Sequence, residues 1–464
     1  MIELARRAVE GTLAAGAEDA EAFASEDAGR EVRVHGGEVE SLTAATKRGI
    51  GIRAWIGRRA GYAYGTDLSE AGIAELAARA AETARIADED EFAAPPSPAA
   101  DFPVRFMPTM DTQSAPEEGV GLELSDPSLA RTPTTEVAEL ALEIERAALG
   151  SDDRVAGVEQ AVYADSAERV AIVSSTGIAG EYERTDCYGY AQALAEGDGG
   201  RETGLGFDLG RGPAALDPTA IGREAAERAT AMIGAGKPDS RSCPVVLDPT
   251  VAASFVALIG RGLGADAVQR GRSPFAGLLG SEVAAEALVI HDDGLDPAGS
   301  ASSPFDGEGV PRRRTALIEG GRLKAYLYDT YTAHRVGAAS TGNAGRAGYP
   351  SQPSVSASNL LVAPGALGFE ELLREAGEGV LVTDVAGLHS GVNPVSGVFS
   401  VGASGRAIAG GELAQPLREF TIASDLVSML RAVRAAGAEA RWVPFGGSVR
   451  TPPLLVGEMT VSGV

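Results

Sequence analysis

Sixty glycines are spread through a chain of 464 residues, and between them lie short runs of valine, isoleucine and leucine. That punctuation calls for many strands joined by tight turns, with antiparallel pairing as the rule. A chain of this length also exceeds one ordinary core, so two domains are expected. Apolar residues at helical spacing in 2–15 read as an amphipathic helix. Strand-like runs follow at 20–25, 31–35, 40–45, 49–55 and 61–64. Ser69 then has the chemistry of an N-cap for an alanine-rich helix reaching residue 86. The expected fold class is α+β. A layered N-terminal α+β domain spans 1–235, and a larger, mainly antiparallel β domain spans 236–464.

Within the first domain, residues 88–133 change character. An acidic run is followed by Pro95, Pro96, Pro98, Pro103, Pro108, Pro116, Pro127 and Pro133, which predicts a long surface excursion. Helix is expected again at 134–149, strands at 155–164, 170–175 and within 177–195, a loop at 199–212 and a helix at 218–233. Gly236-Lys237-Pro238-Asp239 is strong turn chemistry and places the boundary within 234–242. Beyond it the pattern predicts a strand at 243–247, a helix at 250–263, and further helices at 369–376 and 424–436.

Several functions are disfavoured by composition. The formal charge of -25 repels phosphate backbones, which argues against DNA or RNA as a direct ligand. No apolar run approaches the ~18 residues a membrane helix needs. The N-terminal residues show no secretory signal pattern, so the expected location is the cytoplasm. Cys187 and Cys243 are the two cysteines, too far apart for a local metal or redox spacing, and are expected to be buried and inert. The four histidines, His35, His291, His334 and His389, form no local ligand pair. His291-Asp292-Asp293 reads as a solvated turn, and Asp306-Gly307-Glu308-Gly309 as a glycine-rich acidic turn. Arg312-Arg313-Arg314 is expected to pair with acidic surface.

Three stretches are long and specific. The first runs from Gly260-Arg261-Gly262-Leu263 through Val268-Gln269-Arg270-Gly271-Arg272-Ser273-Pro274-Phe275-Ala276-Gly277. The second joins Asp306-Gly307-Glu308-Gly309-Val310-Pro311, Leu317-Ile318-Glu319 and Tyr326-Leu327-Tyr328-Asp329 to Ser340-Thr341-Gly342-Asn343-Ala344-Gly345-Arg346. The third holds Gly387-Leu388-His389-Ser390-Gly391-Val392-Asn393-Pro394, Ser396-Gly397, Phe399-Ser400-Val401-Gly402 and Thr421-Ile422-Ala423. Together they resemble the C-terminal domain of the TldD/PmbA family. Gly49-Ile50-Gly51-Ile52-Arg53 and the helix after Ser69 extend the likeness, more weakly, to the N-terminal half.

The resemblance implies a zinc peptidase heterodimer. One subunit, of TldD type, carries an H-E-x-x-x-H motif, and a TldE/PmbA-type subunit lacks it. Laid on that pattern, the first histidine position falls on Val256, the glutamate on Ala257 and the second histidine on Arg261. Valine has no lone pair to give, alanine is no base, and arginine stays protonated. The family's third ligand, a cysteine, would fall within 435–441, where there is none. The chain therefore resembles the TldE/PmbA branch, with no catalytic residue and no metal of its own, zinc being expected in a TldD-like partner. Val398, where an acidic residue is expected, and Asp425, where asparagine is usual, depart from the family pattern.

Arg261 has two readings. Its guanidinium could hold a peptide carboxylate in a shared cavity, or it could pair with Asp266 or another nearby acid and fill space. Ser273, Pro274 and Phe275 in one loop, and His389, Ser390, Asn393 and Ser396 in another, are candidates for a substrate groove or partner interface, since glycine-rich loops expose backbone for strand addition. The plain alternative is that these loops only shape a barrel. The expected function is the non-catalytic subunit of a chamber that degrades unfolded or small peptides. A homodimeric peptide-binding or chaperone-like module is the alternative. A metal-free serine or cysteine hydrolase is a third.

Overall fold

The computed structural model describes residues 1–97, 122–197 and 200–464. Residues 98–121 of the proline-rich excursion, including Pro98, Pro103, Pro108 and Pro116, lie outside that range, as does Gly199 of the expected loop.

Helix α1 (Ile2–Ala14) leads into a six-stranded antiparallel sheet. Its strands are β1 (Asp19–His35), β2 (Glu38–Ile56), β3 (Arg59–Gly65), β4 (Val155–Ser174), β5 (Ala179–Gly197) and β6 (Gly200–Gly210), in the order β3-β2-β1-β4-β5-β6. The five short strands expected before residue 65 are therefore three, two of them long, and the two expected within 155–175 are one. Ala28-Gly29 and Ala44-Ala45 lack large side chains, but Ala28 pairs with Thr46, Gly29 with Ala45 and Arg30 with Ala44, which carries the ladder straight through. Residues 200–210, expected as loop, form β6, and the glycines there serve packing. A Cβ on Gly206 would sit 2.1 Å from the Ile221 carbonyl of α4 (Pro218–Thr230), so only glycine lets that helix lie on the strand.

Alternation along β1 sorts the two faces of the sheet. Ala20, Ala22 and Ala24 face a core shared with α1 and α2 (Glu70–Ile86). Ser69 caps α2 as expected, accepting from Gly72 N at 3.1 Å. Further along, Val32 and Val34 join a core with α3 (Thr134–Ser151) and α4. The alternate residues Glu21, Phe23 and Ser25 face the C-terminal half: Phe23 packs with Phe305, and Ser25 Oγ accepts from Tyr349 N at 3.1 Å. A Cβ on Gly51 would lie 2.4 Å from the Tyr349 carbonyl, which explains the small residues in Gly49-Ile50-Gly51.

The C-terminal half begins with β7 (Arg241–Leu247) and α5 (Pro249–Gly262). Strands Glu412–Asp425, Val398–Ala409, Gly379–Ala386, β7 and Leu454–Ser462 pair in that order, and the first also pairs with the last, which closes a small barrel. The pairing of β7 with Gly379–Ala386 is parallel within a mainly antiparallel set. A second sheet has Ile290–Asp293 and Asn359–Val362 at its centre. Helix α5 packs against strands of both. The helix at Phe369–Ala376 stands where expected. The long helix expected over 424–436 does not form. Asp425 ends a strand and caps Leu426–Arg431, and Val433–Ala436 pairs with Leu454–Ser462 instead. No helix among the described residues is long and apolar enough to cross a membrane.

Candidate functional site

Helix α5 starts at Asp248, whose side chain accepts from Thr250 N at 2.9 Å, and it buries an apolar face in the main C-terminal core. Val256 and Ala257 lie on that helix and are 2% and 6% exposed. Arg261 is exposed one turn on and reaches Gly446 O with Nη2 at 3.4 Å. The pairing with Asp266 does not occur, since Asp266 holds Arg270 at 2.8 Å. Arg261 and Ala257 line a cleft of about 320 Å³ whose walls are mostly small, among them Gly260, Gly264, Ala357 and Gly447.

These side chains do not fit a zinc ion. The helix offers an aliphatic group, a methyl and a guanidinium, none of which ligates a cation. Among the described residues, no group of three or more His, Cys, Asp or Glu side chains could hold a metal.

The two loops singled out from sequence meet each other. A Cβ on Gly397 would sit 2.9 Å from Pro274 Cβ, and Gly262 packs against the Phe275 ring. Within them the residues divide. Ser273 is buried, donating through Oγ to Gly262 O at 2.5 Å and accepting from Phe275 N at 3.0 Å. Phe275 has no exposed surface, and its carbonyl accepts from Tyr326 Oη at 2.6 Å. Both therefore hold this loop against the end of α5 and the core, and Pro274 is half-buried between the loops. His389, Ser390, Asn393 and Ser396 are exposed. Asn393 Oδ1 accepts from Val395 N at 2.9 Å and Ser396 N at 3.2 Å, which fixes the turn. Val395 and Val398 stand exposed beside them.

Both cysteines are buried, and burial pushes the Cys187 thiol up to about 12, where it stays protonated and unreactive. His291-Asp292-Asp293 is not a solvated turn but strand. Asp292 is 1% exposed and accepts from Asn343 Nδ2 and Ser358 N, both at 2.6 Å. In the arginine triplet, Arg312 donates to Gly342 O at 2.8 Å and Arg313 to Ser340 O at 3.1 Å, while Arg314 reaches the acid Asp293 at 3.9 Å.

Sequence reasoning missed a buried charge network between the two halves. Arg53 donates from Nε to Glu21 at 3.0 Å and from Nη1 to Glu308 at 2.9 Å, and Arg346 also pairs with Glu21. Glu308 accepts from Thr330 N at 2.9 Å. The acidic turn of Asp306 and Glu308 is thus present but buried, both residues being 2% exposed. Its partners come from strands far away in sequence, and the one local signal was Gly-x-Gly spacing around two acids. A cavity of about 580 Å³ opens beside the network, lined by Arg53, Asp88, Asp90, Asp266 and Asp329 among others.

An N-terminal sheet with four helices on one face, joined to a small barrel and a second sheet that both pack against α5, is the scaffold of a metallopeptidase family. Residues 20–84, 127–233 and 240–463 match its domain 1, central domain and C-terminal domain, each described as PmbA/TldA metallopeptidase. The chain is 29% identical over 453 residues to the metalloprotease PmbA of Escherichia coli O157:H7, covering 97% of this chain and 94% of that one. It is 30% identical over 319 residues to a metalloprotease of Methanocaldococcus jannaschii, covering 65% of this chain and 70% of the other. A crystal structure from Thermotoga maritima MSB8 superposes with a TM-score of 0.87 at 26% identity over 99% of each chain. TldE from Thermococcus kodakarensis shares the fold, with a TM-score of 0.84 at 21% identity, covering 99% of this chain and all of that one. The chain belongs to the PmbA/TldD metallopeptidase family.

Proposed function

We propose that this chain is the non-catalytic subunit of a zinc peptidase, pairing with a TldD-like chain that carries the metal, the base and the ligands. The observation that carries the reading is the content of α5: Val256, Ala257 and Arg261 stand where the family resemblance puts two ligands and a base. The whole-length likeness to PmbA supports it. In this reading the two chains enclose a chamber for unfolded or small peptides. This chain supplies one wall: Arg261 and its cleft, with the exposed turn of His389, Ser390, Asn393 and Ser396, face substrate or partner, while Ser273, Pro274 and Phe275 hold that wall in place. The two buried free thiols suit a reducing compartment, which supports the cytoplasm as its location.

The test is metal content and peptidase activity, measured on the purified chain alone and mixed with a homologue bearing H-E-x-x-x-H. Alone, the chain is expected to hold no stoichiometric zinc and to cut nothing. The mixture is expected to associate and to degrade unfolded peptides in a chelator-sensitive way. Stoichiometric zinc together with chelator-sensitive cleavage by the isolated chain would overturn the proposal.

A further inference from the structure

Strand β2 is paired on both sides for only part of its length. β1 runs beside it from end to end, but β3 covers only Ile50–Ile56. Among the described residues, no strand pairs with the outer side of residues 38–48, and every residue in that stretch is exposed. The edge is not a loose arm. Behind it β1 pairs with β4 from Glu21 to Val34. At the hairpin tip, Gly36 N and Gly37 N donate to the buried Glu145 carboxylate at 2.7 and 2.8 Å. A fixed, extended row of peptide groups therefore faces outward without a strand partner, which is a template for another strand.

Side chains along this edge specify which strand. Glu38 and Glu40 stand at one end, Lys47 and Arg48 at the other, Arg48 being paired at 3.1 Å with Glu26 of β1, and Ser41-Leu42-Thr43-Ala44-Ala45-Thr46 between them carry no charge. Val39 and Leu42 are 42% and 48% exposed, large for apolar side chains on a sheet edge. Edges guarded against pairing tend to carry a charge or proline in the middle, and this one carries neither. Its polarity is self-complementary in one orientation. When two copies meet antiparallel about a two-fold axis near Thr43, the acidic end of each lies beside the basic end of the other. A parallel meeting sets like charges together.

We propose that the outer edge of β2 is an interface between two copies of this chain, joined antiparallel so that their sheets continue into one. The two-fold axis then runs through the sheet, and the α3 helices of both copies lie on the same face. Residues 38–48 do not line the cleft beside α5, and the proposal is tested on this chain alone, without the zinc-bearing partner.

The test is sedimentation velocity on the full chain and on two double variants, Glu38→Lys with Glu40→Lys, and Lys47→Glu with Arg48→Glu. All four positions are exposed, and matching thermal melts confirm that the variants fold. The wild type is expected to dimerise, with salt weakening it. Each variant is expected to self-associate about tenfold more weakly. An equimolar mixture of the two variants is expected to recover the dimer, because one edge is then wholly basic and the other wholly acidic. A wild-type chain that stays monomeric at about 100 µM, above the range typical of specific interfaces, would overturn the proposal, even if the zinc-bearing homologue binds this edge. Variants that dimerise like wild type, or a mixture that recovers nothing, would overturn it too.

Discussion

Arg346 sets its guanidinium on the Glu21 carboxylate across 325 residues of sequence, and neither side chain is more than 1% exposed. Arg53 shares the same carboxylate from the neighbouring strand and ties it to Glu308. Two acids, Glu21 and Glu308, thus balance two buried cations at the seam between the N-terminal sheet and the C-terminal half, and Glu21 touches both cations. Glu21→Gln removes the carboxylate that both buried guanidinium groups share and takes from Arg346 its ion-pair partner, so it is expected to cost about 3–5 kcal/mol of stability. Urea denaturation measures the loss. A double-mutant cycle with Arg346→Met should return a coupling above about 1 kcal/mol. A Glu21→Gln variant within ~0.5 kcal/mol of wild type would show that the network contributes little.

The same seam predicts a dependence on pH. Asp306 accepts from Glu308 N at 2.9 Å, Val310 N at 3.0 Å and Ala344 N at 2.9 Å. Burial, and then the Glu308 carboxylate beside it, push Asp306 up to about 7. Glu308 is buried as well, which by itself would raise it, but Arg53 and the Thr330 amide hold it below the usual glutamate value. Between about pH 4, where an unfolded aspartate ionises, and about pH 7, the folded chain keeps a proton on Asp306 that the unfolded chain has released. The folded state binds more protons there, so the contribution of Asp306 to stability falls as pH rises through that window and levels off above it. Asp306→Asn removes the titration. Stability of the wild type relative to this variant is expected to decline from pH 4 to pH 7 in denaturant titrations, and a difference that is flat or rising would contradict the assignment.

How much of this was legible in the sequence depends on the range of the interaction that decides it. Ser69 and the helix at Phe369–Ala376 are set by neighbours within one turn, and both stand where local chemistry puts them. β1, β2 and β4 read as fragments, with breaks expected at 26–30, 46–48 and 165–169, whereas cross-strand pairing holds all three extended through those residues. β6 read as loop because Gly204 and Gly206 look like turn residues, but they are the seats on which α4 rests. At 424–436, helical spacing lost to the open edge of Leu454–Ser462, which takes up Val433–Ala436. In the candidate site, the side chains that α5 carries at Val256, Ala257 and Arg261 are legible because residue identity is a local fact. The Glu21–Arg53–Glu308–Arg346 network is not, because it exists only once residues hundreds apart are brought together.

Phe275 and Arg261 separate scaffold from surface within the proposed wall. Phe275 sits in the main core with no exposed area, its ring against Gly262 and its carbonyl held by Tyr326. Truncation to alanine removes most of a ring's contacts and leaves a cavity that the paired loops cannot fill, so Phe275→Ala is expected to cost about 3–5 kcal/mol. Arg261 makes one long bond, to Gly446 O, and is exposed. Arg261→Ala is expected to shift stability by less than about 0.5 kcal/mol. If the cleft contacts peptide, the same substitution lowers peptide cleavage by the mixed complex while leaving assembly intact. Thermal melts of the two variants, read beside the activity of each in that complex, decide the matter. A mild Phe275→Ala would place the loop at the surface, and an Arg261→Ala complex with full activity would leave the guanidinium no part in holding substrate.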